Sequence, residues 1–498
     1  MNPHGVRALA LLLVVAAEPA AAQSWRLRFD VAAQRVSFRG VTADSVPESG
    51  VVAGPTGGPV TSDGFAAYCY GDGFCRFYRP GSIRSGLPAS GSTDLTLWGL
   101  GITGLRIRVN ARLLRDLSGN RLWPGTTPAL RLVEGFAEYT RDRFTGRMGR
   151  LLELGRLGNA GTGGLDGVRA TWQSAPRGVL LGGYLGWGLA RGTTLPVTSP
   201  AVNPLAEYQP EQRQFVAGAL AGLHLGEVDA ELEYRREVDP FTDYFVSERA
   251  AISLQGGVLP RVRVVAGADY NIAEGRWGSA EGSVAYTGNL LWATLGARRY
   301  RPFFDLWTVW GVFNPVPYAG VNGSLTVGPV KGVRVGARGE WFRYDPAEVI
   351  TPNVTLEDSG WRWGVDATYA PGTQWQAETR VHGEARPGAS SSGFDGAFTW
   401  RPNDALTLSA RGGSLERPLE LRFQDAGVIW AGGSATWRSG ERWSLGMSVD
   451  RYWESRDRPD AASFDWNQWR VSARVSLTLR SDADRWALPP GRPREATP

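Results

Sequence analysis

Residues 105–113 read LRIRVNARL, with Leu105, Ile107, Val109, Ala111 and Leu113 in one register and Arg106, Arg108, Asn110 and Arg112 in the other. Side chains two apart on an extended chain share a face. One face of this strand is therefore apolar throughout, and the other carries three arginines. The pattern returns along the chain. Val262, Val264, Ala266, Ala268 and Tyr270 alternate with Arg261, Arg263 and Asp269, and Val333, Val335, Ala337 and Trp341 with Arg334, Gly336, Arg338 and Glu340. Near the end, Val471, Ala473, Val475, Leu477 and Leu479 alternate with Arg470, Ser472, Arg474, Ser476 and Thr478. No long helical stripe accompanies them.

A soluble antiparallel sheet also alternates. Three features favour a closed membrane barrel. Aromatic residues gather near strand ends, at Trp341, Tyr344, Trp375, Trp437 and Trp453, as interfacial belts require. An exported chain with so many strands and no soluble-domain boundary must remove its sheet edges, and closure does so. Connections also alternate between short and long.

The short turns are ITG (102–104), TRDR (140–143), SAPRG (174–178), GEV (226–228), VLP (258–260), TGN (287–289), GPVKG (328–332), APGT (370–373), RPND (401–404) and RSGER (438–442). Their Gly, Pro, Asn and Asp content marks them as turns. Longer linkers lie between them, including 41–92, 192–210, 302–316, 345–359, 416–425 and 454–463. The expected fold is all-β: a single large antiparallel transmembrane barrel of about 22 strands (18–22), with short periplasmic turns and long extracellular loops. The range reflects residues 93–174, where the strands are least regular.

The 498 residues exceed one ordinary globular core, and a mean hydropathy of −0.23 excludes a bundle of membrane helices. Of 54 basic residues against 49 acidic ones, all but Lys331 are arginine. Arg7, the apolar run Ala8–Ala17 and the small residues Ala20 to Ala22 have the layout of a signal peptide over 1–22, cleaved before Gln23. The barrel is then expected over 23–480 and a Pro- and Arg-rich disordered periplasmic tail over 481–498. Export directs the chain to the bacterial outer membrane and excludes nucleic acid as a partner. In that oxidising compartment the only cysteines, Cys69 and Cys75, are expected to pair. The long segment 41–92 that holds them reads either as a lid folded into the mouth or as a large surface loop.

A barrel of this width cannot be filled by its own inward side chains, so it encloses water or a plug. The polar register supplies the candidate pore-lining set: Arg106, Arg108, Arg112, Arg147, Arg169, Arg261, Arg263, Arg334, Arg338, Glu340, Glu378, Arg380, His382, Glu384, Arg470 and Arg474. Facing rings of charge, more positive than negative, concentrate anions. Arginine also holds carboxylates bidentately at any accessible pH. The same residues would serve equally as cross-strand ion pairs on a solvated wall.

Residues 133–172 carry an acidic strand (Glu134, Glu138), Gly149-Arg150, Arg156-Leu157-Gly158 and Asp166-Gly167-Val168-Arg169. This run resembles a segment of the alginate-export-type outer-membrane porins. It departs from them at Leu151, where the family continues Gly-Arg-Gln, and at Leu165, where the family has an aromatic residue. The resemblance covers about 40 residues and implies passive movement of anionic sugars or small solutes through an arginine-lined pore.

Three readings of function follow. The first is a porin-like channel for small anionic or sugar-like solutes. The second is a structural or adhesive barrel whose lumen is occluded by 41–92. The third, an outer-membrane hydrolase, would have to use His224 or His382, the only histidines of the mature chain, and no H-E-x-x-H, Walker loop, Cys-x-x-Cys or G-x-S-x-G motif occurs. The chain is accordingly expected not to be an enzyme and to need no cofactor or metal. Outer-membrane lipid, lipopolysaccharide and the solute are its expected partners, and monomer and trimer both remain open. The aromatic run 298–318 reads either as a sugar platform or as part of an interfacial belt.

Overall fold

The computed structural model describes residues 24–481 apart from 55–56, 119–129, 153–161, 175–177, 192–209, 239–244, 302–316, 329, 346–358, 387–388, 418–426 and 456–464. The expected signal peptide and nearly all of the tail lie outside the described residues. Strand β1 (Ser24–Pro47) and the twenty-one strands from β6 (Pro88–Trp98) to β26 (Trp466–Arg480) pair antiparallel in chain order. The last returns onto the first through Arg26↔Arg480 to Arg35↔Val471, which closes a barrel of 22 strands. No helix long and apolar enough to cross a membrane occurs among the described residues.

All ten expected short turns fall at one end of the barrel, where β1 begins and β26 finishes. Gly226, between β12 (Pro210–Leu225) and β13 (Val228–Val238), shows why their composition recurs. Its φ of 63° lets a two-residue link match the strand twist, a conformation that side chains resist. The opposite end carries the long connections, although Ile272–Gly275 is as short as a turn.

The apolar register faces outward. Leu113, Leu185, Leu295, Trp341 and Val475 are exposed on that surface, as are the belt residues Trp437 and Trp453's neighbour Trp469. Tyr344 corrects the expected belt. It shares a face with Phe342 and Tyr318 and lies inside the barrel, stacked edge-on to both.

Segment 41–92 is largely strand, which corrects its reading as a loop. Above Arg35, β1 leaves the wall and pairs with β5 (Phe74–Gly86) from Val36↔Gly86 to Pro47↔Phe74. The pair forms a ribbon roughly 35–40 Å long, and residues 88–92 belong to barrel strand β6. At the tip, Cys69 and Cys75 are disulfide-bonded with Cα atoms 4.1 Å apart, beside a small core of Ala67, Phe77 and Phe65.

Candidate functional site

Inward residues divide the lumen into two unlike halves. On one side, Phe136, Leu151, Leu165, Tyr184, Val216 and Leu220 form a buried apolar cluster. It lies over a row of glycines, Gly149, Gly167 and Gly186, in register across β9 (Phe144–Leu151), β10 (Thr162–Gln173) and β11 (Val179–Arg191). The neighbouring strands bury charge. Glu233 and Glu237 are 2% exposed, Arg235 is 4% exposed and Arg249 5%. Glu237 pairs with Arg235, Asp269 with Arg249, and Glu233 accepts the Tyr184 hydroxyl at 2.7 Å. Such burial is tolerable because each of these groups is ion-paired or hydrogen-bonded.

The other half is open. On β19 (Val333–Tyr344) and β21 (Trp375–Arg386), Arg334, Arg338, Glu378 and Arg380 are exposed on the inward face. A hollow of about 380 Å³ lies among Arg338, Glu340, Arg362, His382, Glu384 and Asn322. Four residues of the expected set, Arg338, Glu340, His382 and Glu384, thus line one depression. Glu340 anchors it, accepting both Arg298 Nε and Nη2 at 2.6 and 2.7 Å and pairing with Arg362 at 3.3 Å. Arg298 and Arg362 also lie over Tyr318, at 5.4 and 5.9 Å from its centroid, and Arg362 is 4.8 Å from that of Phe342. Cations on aromatic faces and a shared carboxylate hold the guanidinium planes in fixed orientation.

Arg298 reaches Glu340 across an intervening strand, β18 (Tyr318–Val327), at Gly320. A Cβ at Gly320 would lie 3.2 Å from Glu340 Oε1. Arg411 bonds Asp450 at 2.8 Å in the same way, across Gly432 on β24 (Gly427–Ser439). Sequence alternation missed Arg298, Arg362, Arg411 and Asp450. The available signal was a glycine in the polar register one strand away from a charge.

Several of the remaining expected residues are paired. Arg106 and Arg147 meet Glu138 at 2.8 and 2.6 Å, and Arg108 meets Asp94 and Glu134 at 3.0 and 3.3 Å. Arg112 and Arg169 face inward opposite Arg131 and Arg147. Arg470, 3% exposed, sits 4.5 Å from the Tyr452 centroid, and Arg474 bonds Asp30 at 2.8 Å. Arg261 is a correction. It occupies the turn between β14 (Phe245–Leu259) and β15 (Val262–Asn271) with φ 71°, so its backbone serves the reversal and not the wall. Among the described residues, Arg263, Arg334, Arg338 and Arg380 have no ion-pair partner within 4 Å, and Arg334 lies 5.8 Å from the Trp292 centroid. Arg334, Arg338 and Arg380 are on the open half, and Arg263 is on β15, beside the buried pairs.

His224 Nδ1 lies 2.6 Å from Asp229 beside the Gly226 turn, and His382 Nδ1 is 3.8 Å from Asp395. Neither ring is hydrogen-bonded to a serine, threonine or cysteine among the described residues. The triad Glu48, Cys69 and Cys75 has metal-like proximity, but its sulfurs are consumed in the disulfide.

No protein-family model and no curated protein matches this chain. Solved structures do. The ferric enterobactin receptor PfeA of Pseudomonas aeruginosa aligns at TM-score 0.51 and 10% identity, over 93% of this chain and 82% of the receptor. OccK11 of the same organism aligns at 0.40 and 12% identity, over 92% and 96%. An anion-selective porin from Comamonas acidovorans aligns at 0.31 and 10% identity, over 55% and 92%. The likeness to the receptor shows a shared fold, and the fold of this chain is that of an outer-membrane β-barrel.

Proposed function

We propose that the protein is an outer-membrane channel through which small anionic or sugar-like solutes pass passively along the open half of its lumen. The observation that carries this reading is the exposure of Arg334, Arg338 and Arg380 without carboxylate partners, while the opposite wall is packed and charge-matched. Unmatched guanidinium on a wet wall raises the local concentration of anions and leaves its donors available to a carboxylate or sulfate. Tyr300 and Tyr344, packed on the buried Tyr318 and Phe342, stand at the mouth of this half and offer ring surface to sugars. The alginate-export-type resemblance of 133–172 agrees with an anionic sugar as solute. Its Arg147 and Arg169 face inward, whereas Arg150 and Asp166 pair at 2.6 Å on the outward register.

Single-channel recording in planar bilayers tests the proposal. The expected result is a stable open pore whose reversal potential in a salt gradient favours anions. Replacing Arg338 and Arg380 together by alanine is expected to lower the anion-to-cation permeability ratio about two-fold or more. A correctly folded, silent protein overturns the channel reading.

One observation favours a second reading, a structural barrel without throughput. Glu233, Arg235, Glu237 and Arg249 face inward on β13 and β14 yet are almost wholly buried, so that side of the lumen is filled. Silence in the bilayer experiment would support this alternative.

A further inference from the structure

The ribbon of β1 and β5 has two unlike faces at its tip. Strand β4 (Ala67–Cys69) joins it there, with Ala67, Tyr68 and Cys69 opposite Phe77, Arg76 and Cys75. One face is closed by Ala67, Cys75 and Phe77, against which Val46, Val51 and Phe65 pack. The other carries Tyr68, Phe74, Arg76 and Tyr78, all exposed. Arg76 is at its centre, opposite Tyr68 on β4 and Ser45 on β1, with Phe74 and Tyr78 two residues to either side on the same face. Its Cζ lies 5.7 Å from the ring centroid of Tyr70, which is 71% exposed. The core of the tip uses none of these side chains. Exposed aromatic groups clustered about an arginine mark a binding surface.

Arg76 has no ion-pair partner among the described residues. The nearby acids are placed elsewhere: Asp44 pairs with Arg79 at 2.8 Å, Asp72 accepts the Phe74 N–H at 3.2 Å, and Glu48 lies by the disulfide sulfurs. The disulfide and the left-handed Gly71 and Gly73, at φ 79° and 84°, fix the loop that carries Tyr70 and Phe74. Little ordering is then left to lose on binding. We propose that this face binds a short acidic oligosaccharide. Sugar rings lay their C–H faces on Tyr70, Phe74 and Tyr78, and the Arg76 guanidinium takes a carboxylate in a two-pronged bond. Strand spacing and rise make the patch about 10 Å wide and about 13 Å long. That is far below the roughly 800 Å² a side of a stable protein interface, and it suits a ligand of a few sugar units. The unmatched cation selects an acidic sugar over a neutral one. This site is separate from the open half of the lumen and does not require a conducting pore.

The test is isothermal titration of the full chain in detergent with a uronic-acid tetrasaccharide and with the same sugar carboxyl-reduced to its neutral form. Wild type is expected to bind the acidic form about ten-fold more tightly. Arg76→Gln removes that preference. Tyr70→Ala combined with Phe74→Ala keeps the preference and weakens both forms about ten-fold. Arg84→Ala alters an exposed arginine on the opposite face of the ribbon, facing Phe38 in the register, and changes neither affinity. All these positions are exposed, so the fold is preserved. No binding, or equal affinity for the two forms, overturns the proposal. So does binding that survives Arg76→Gln and is lost when Arg338 and Arg380 are replaced by alanine, which places the sugar in the lumen. A dimer that Arg76→Gln dissociates with no sugar bound overturns it too. A barrel silent in bilayers that still binds the acidic form through Arg76 refutes the channel and leaves this site standing.

Discussion

Val109→Arg is expected to prevent the barrel from assembling. Val109 sits outward at the middle of β7 (Leu105–Asp116), between Leu95 on β6 and Gly135 on β8 (Leu130–Arg141). An arginine there has no neighbouring headgroup and no carboxylate in its register, and placing it against hydrocarbon costs about 2–4 kcal/mol near the midplane. The loss recurs at every step in which β7 must be inserted. Yield of folded protein in the outer-membrane fraction measures it. Arg108→Ala, one residue away, gives the opposite result. It exposes Asp94 and Glu134 to the lumen without their shared cation, so the protein folds and anion preference falls. Similar behaviour of the two variants would refute the two-faced assignment of the strand.

Glu340→Ala is expected to destabilise the barrel while making the pore more anion-selective. The side chain is 7% exposed and holds Arg298 and Arg362 together. Removing a buried partner leaves uncompensated charge, worth about 3–5 kcal/mol when the whole pair is buried. Both arginines here are about one-third exposed, and solvent screening lowers the cost to about 2 kcal/mol. Two freed guanidinium groups join the unmatched set on the open half. Urea unfolding in detergent and the reversal potential read the two effects separately. A destabilised variant of unchanged selectivity would show that the Arg298–Glu340–Arg362 cluster faces no permeating ion.

The fold was legible in the sequence because a barrel repeats its constraints. Every strand must alternate, and every periplasmic turn must reverse the chain in a few residues, so Gly226 and its nine counterparts announce eleven hairpins. The disulfide followed from two cysteines in an exported chain. The candidate site was less legible. Alternation gives a residue's face but not its partners, so Arg106 and Arg338 looked alike, although the first meets Glu138 and the second has no ion pair among the described residues. Arg261 had the right parity at a position where the strand had already ended. Contacts such as Arg411 with Asp450 link residues 39 positions apart, through a glycine whose significance depends on the register of three strands. The division of the lumen into packed and open halves likewise depends on which strands oppose each other after closure.

Strand β1 belongs to two structures at once. Its first half is sealed between β6 and β26, and its second half is one arm of the ribbon that carries the disulfide-bonded tip. The covalent backbone through Arg35 and Val36 therefore joins the ribbon to the seam that completes the ring. Tension applied at Cys69 and Cys75 would travel down both arms, through β1 and through β5 into β6, and load the hydrogen bonds of the wall in shear, where they share the force instead of yielding one by one. Whatever grips the ribbon pulls on the joint that keeps the barrel closed.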